Sequence, residues 1–135
     1  MKNALLFICL LFFTATIIVI ADAHISDFNV YSNSSGNVVV EWKTTYENDI
    51  SKFIIERKTD QTNWDVIANI APKGAGYTYT YTDQSAYKTS DITFTYRLGV
   101  QSGSTQQVTY MEESSINPKI SGIKQTWGMI KAMFR

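Results

Sequence analysis

Cysteine is nearly absent from this chain: Cys9 is the only one in 135 residues. It lies within an apolar amino-terminal run, so a body freed of that run has no thiol and no disulfide. Such a body is held by its core alone, and thiol catalysis is excluded. Histidine is equally scarce, with His24 alone. One imidazole excludes a histidine-based metal cluster, and a copper brace at an amino-terminal His24 would lack its second ring. Any Ser-His-Asp triad would have to use a base at that same exposed position, a poor place to fix its geometry. Proline occurs only at Pro72 and Pro118, and no helix-period pattern precedes Pro118. Acidic residues are missing after Glu113, where Lys119, Lys124, Lys131 and Arg135 give a net of +4. From His24 to Glu113, eleven acids face seven bases, a net of −4. An acidic body opposes a phosphate backbone and excludes nucleic acid as a partner.

What is present divides into a leader, a strand-rich body and a basic tail. The leader opens on Lys2, continues as an apolar run from Ala4 to Ala21, and ends at Ala21-Asp22-Ala23. A basic start, an apolar middle and an A-x-A end read as a secretory signal over residues 1–23, cut to leave His24 first. The rival is an uncleaved anchor, because the run approaches the ~20 residues that span a bilayer. Cys9 follows Ile8 inside the run, which does not suit a lipid acceptor. The protein is therefore expected to be exported: periplasmic, outer-membrane-associated or extracellular.

Between Ile25 and Glu113 the dominant signal is alternation of period two. Val38, Val40 and Trp42 share one face, with Val39, Glu41 and Lys43 opposite. Phe53 and Ile55 share another, and Tyr77, Tyr79 and Tyr81 alternate with threonines. Ile92, Phe94, Tyr96, Leu98 and Val100 continue the pattern, as do Val108 and Tyr110. β-Branched and aromatic residues of this kind fit a pleated, half-buried surface. Turn-rich stretches at 33–37, 60–63, 72–76 and 102–104 separate the runs. About seven short strands at regular spacing predict an antiparallel β-sandwich.

The motifs Val38-x-Val40-Glu41-Trp42-x-Thr44, Glu47-Asn48-Asp49-Ile50 and Phe53-Ile54-Ile55-Glu56-Arg57 resemble the run found in bacterial fibronectin type III-like domains. So do Thr59 to Ile67, Tyr79-x-Tyr81-x-Asp83 and Tyr96-Arg97-Leu98, although Trp64 stands where a Phe is usual and Gln61 where a Gly is usual. The resemblance covers about residues 25–113, within a domain expected over 24–113. It implies an all-β, seven-stranded antiparallel immunoglobulin/fibronectin III-like sandwich, with Trp42 in the core near Tyr96 and with Glu56 and Arg57 at the sheet surface. It also implies a spacer, adhesion or protein-binding role on an exported protein.

No constellation of catalytic groups accompanies these motifs, and the chain is read as non-enzymatic, without cofactor or metal. Glu47, Asp49, Glu56, Asp60 and Asp65 lack the spacing of a calcium loop. Exposed aromatics offer an alternative, a carbohydrate-binding module using Trp64 and Tyr77. After a linker at 114–118, residues 119–135 read as a helix. Asn117-Pro118 supplies its start. Ile120, Ile123, Trp127, Ile130 and Phe134 recur at three and four, within an arc of about 80°, and Lys124 and Lys131 flank them. Such a helix is marginal alone and is interrupted by charge too often to span a bilayer. It is expected to dock on its own domain, a partner protein or a membrane surface. Ile123, Lys124, Trp127, Ile130, Lys131 and Phe134 are the expected contacts.

Overall fold

The computed structural model describes residues 22–86 and 92–118. The leader to Ala21 and the expected helix at 119–135 lie outside the described residues. Seven strands follow one another: β1 Asp22–Ser32, β2 Val38–Asn48, β3 Ile50–Thr59, β4 Asp65–Ile70, β5 Thr78–Asp83, β6 Phe94–Ser102 and β7 Val108–Ile116. They form a three-stranded sheet, β1-β2-β5, and a four-stranded sheet, β4-β3-β6-β7. Every pairing is antiparallel. The described residues thus form an all-β sandwich, as the alternation predicts.

The core forms where the two inner faces meet. Val38, Val40 and Trp42 of β2 and Tyr79 of β5 face Phe53 and Ile55 of β3 and Phe94, Tyr96, Leu98 and Val100 of β6. Trp42 and Tyr79 are register partners whose rings stack at 5.0 Å with an interplanar angle of 5°. Phe53 of the other sheet meets Trp42 edge-on at 5.7 Å. Aromatic pairs with these geometries add about 0.5–1.5 kcal/mol beyond their buried area, and here they join the layers. Trp42 and Tyr96 are both fully buried.

The structure differs from the sequence reading in four places. β1 starts at Asp22, two residues before the expected mature terminus. β7 runs to Ile116, so Ser114–Ile116 pair with β6 and are not linker. Ile92 lies before β6 and is 39% exposed, because β3 turns away at Asp60 once Thr59 has paired with Phe94. Glu56 is only 7% exposed, and Arg57 reaches the interior, so neither is an ordinary surface residue.

Register also fixes the two ends. Asp22 pairs with Asn48, beside the β2–β3 turn and the β6–β7 turn. Ile116 pairs with Phe94, which in turn pairs with Thr59 at the far end of β3. The first and last residues of the sandwich therefore sit at opposite ends.

Candidate functional site

Among the described residues, four carboxylates are each held by several donors. Asp83 ends β5 on the inward side and is 2% exposed. Arg57 of the opposite sheet donates from Nη1 to its Oδ2 at 2.5 Å and to Ser85 Oγ at 2.8 Å. Tyr96 Oη donates to the same Oδ2 at 2.9 Å. The Ser85 N–H and hydroxyl donate to Oδ1 at 2.9 and 2.7 Å. Burial pushes the Asp83 carboxyl up. The Ser85 donors, Tyr96 and the Arg57 charge outweigh it and hold the pKa below the ordinary carboxylate value. Burial first, and then the Asp83 charge, push the Tyr96 phenol far above its usual pKa.

Glu47 is the penultimate residue of β2. Its Oε1 accepts from Thr44 Oγ1 at 2.6 Å and from Tyr79 Oη at 2.7 Å, and its Oε2 accepts from the Gly74 N–H at 3.0 Å. The Lys73 N–H donates to Tyr79 Oη at 2.6 Å. This ties the 71–77 connection to the base of the sandwich. Burial, then Glu47, push the Tyr79 pKa up to about 12.

Asp49 sits in the β2–β3 turn at φ 48°, a left-handed position that Asp tolerates better than most residues. Its Oδ2 accepts from Ser104 Oγ at 2.6 Å and Ser102 Oγ at 2.8 Å, and its carbonyl accepts from the Gly103 N–H at 2.8 Å. The Ser104 and Ser102 hydroxyls hold its pKa below the ordinary value. The β2–β3 and β6–β7 turns are thereby clasped together.

Glu56 lies on the outer side of the four-stranded sheet. Arg97 grips its Oε2 from Nε and Nη2, both at 2.6 Å, and Tyr110 Oη donates to Oε1 at 2.9 Å. The Arg97 guanidinium lies between the Trp64 ring at 4.0 Å and the Tyr110 ring at 3.6 Å, and Lys58 Nζ stands 4.5 Å from Trp64. Such stacks are worth about 0.5–2 kcal/mol each.

Each of the four carboxylates is thus occupied by donors from the fold itself. His24 Nδ1 pairs with Thr45 Oγ1 at 2.8 Å, not with a carboxylate. Among the described residues, no group of three or more His, Cys, Asp or Glu side chains is placed to hold a metal.

The structure does not bring Trp64 and Tyr77 together. Trp64 is half-buried against Lys58 and Arg97 on the four-stranded sheet. Tyr77 precedes β5 of the other sheet, is 41% exposed, packs edge-on against Tyr79 at 4.9 Å, and accepts from Lys73 Nζ at 3.0 Å. The expected contacts Ile123, Lys124, Trp127, Ile130, Lys131 and Phe134 lie outside the described residues. No family model matches this chain, and no curated protein matches it.

Proposed function

We propose that this is an exported, non-enzymatic module of fibronectin type III-like type that works by binding or scaffolding. Attachment falls to residues 119–135, docked on the domain itself, a partner protein or a membrane surface. One observation carries the reading: Glu47, Asp49, Glu56 and Asp83 each accept two or more hydrogen bonds from within the fold. A carboxylate that already accepts two or more hydrogen bonds is a poor general base, which supports a body whose four best-held acids serve the fold and whose surface serves a partner. The three-plus-four division and the crossings of β2 to β3, β4 to β5 and β5 to β6 between sheets support the fibronectin-like topology. The basic, amphipathic pattern of the tail supports its assignment to attachment.

Deletion of residues 119–135 tests this. The chain ending at Pro118 retains all seven strands and is expected to stay folded by circular dichroism. Affinity capture and membrane fractionation are expected to lose the partners held by the full chain. Retention of the same partners or the same membrane fraction by the shortened chain would refute the role of the tail.

A further inference from the structure

Resting on the export reading, we infer that signal peptidase cuts the Ala21–Asp22 bond, not the Ala23–His24 bond that the A-x-A pattern indicates. The reason lies at the start of β1. Ala23 is 3% exposed and belongs to the hydrophobic core. It pairs with Glu47, the residue that Thr44, Tyr79 and Gly74 fix at the base of the sandwich. Asp22 forms one further rung with Asn48 and is exposed.

A cut after Ala23 removes both rungs and opens the space that the Ala23 methyl fills. A cut after Ala21 leaves the strand whole. The sequence permits it, since Ala21 is small and Val19, two positions before it, is compact and uncharged. The step is hydrolysis: water adds across the amide, Ala21 leaves as a carboxylate on the leader, and Asp22 becomes the ammonium terminus.

The full 135-residue chain, produced in an exporting bacterial host, decides the matter by intact mass and amino-terminal sequencing. The expected product begins at Asp22. A product beginning at His24 overturns the inference and leaves export standing. A chain that keeps Met1 in every fraction overturns the inference, and retention of that chain in the cytosol overturns export as well. A second variant separates the two bonds without depending on folding, because denatured samples serve equally for mass. Ala23→Leu puts a bulky residue beside the Ala23–His24 bond and spares Ala21. It is expected to be processed to Asp22 as fast as the parent, and accumulation of the uncut chain would overturn the inference.

Discussion

At Arg57 the chain places a guanidinium on the inward side of β3, in line with Phe53 and Ile55, where it meets Asp83 of the facing sheet. An unpaired charge there would be intolerable, so each residue is the condition for the other. Asp83→Asn is expected to lower stability by about 3 kcal/mol in urea denaturation, because it strands Arg57 inside the sandwich. The pH dependence follows from the direction of the Asp83 shift. Its folded pKa is depressed, so its stabilisation is complete above the unfolded value of about 3.9 and disappears as pH falls through the folded one. Melting temperatures are expected to fall steeply below about pH 4 in the parent and less steeply in Asp83→Asn. The shallow residual slope of the variant belongs in part to Asp49, whose pKa is also held down. The pair was open to a stricter use of parity: 53, 55 and 57 share a side, as do 79, 81 and 83. An inward arginine demands an inward acid. Surface behaviour carried over from a motif hid that demand.

Among the elements, β7 shows where the alternating pattern informs and where it stops. Val108 and Tyr110 mark the strand by alternation, but Ser114 and Ser115 have linker composition. They are held in the sheet because β6 offers them a ladder at Tyr96 and Thr95, with Thr95 and Ser115 hydroxyls 2.9 Å apart. The strand therefore ends where its neighbour ends, not where its hydrophobicity does. A chain terminated after Glu113 loses three rungs and the cover that Ile116 gives the core. It is expected to melt measurably below one terminated after Pro118. The outer stack was equally illegible, because it depends on an absent side chain. A Cβ on Gly99 would stand 3.0 Å from Val108 Cγ1 and 3.2 Å from the Tyr110 ring, so glycine there lets that ring lie across β6 to Glu56. Gly99→Val is expected to cost roughly 1–3 kcal/mol by overpacking. In a Tyr110→Ala background that cost is expected to shrink, a coupling that a double-mutant cycle measures.

For the molecule as a whole, the core and its four polar anchors supply the cohesion that small domains of other proteins often take from disulfides. With one cysteine in the entire chain, no intramolecular bridge is available. The melting temperature of the chain starting at Asp22 is expected to be the same with and without dithiothreitol, and a drop in reductant would contradict this account. The sandwich itself was legible because period-two alternation is a property of long segments and survives local exceptions such as Val39, which is buried on the outward side between its register partners Tyr31 and Thr82.

The placement of Asp22 and Ile116 at opposite ends has a mechanical meaning. Force applied by a probe fixed to each end runs along β1 and β7, so the β1–β2 and β6–β7 hydrogen bonds are loaded together in shear and are not peeled one by one. A sandwich pulled in that direction yields all at once and late.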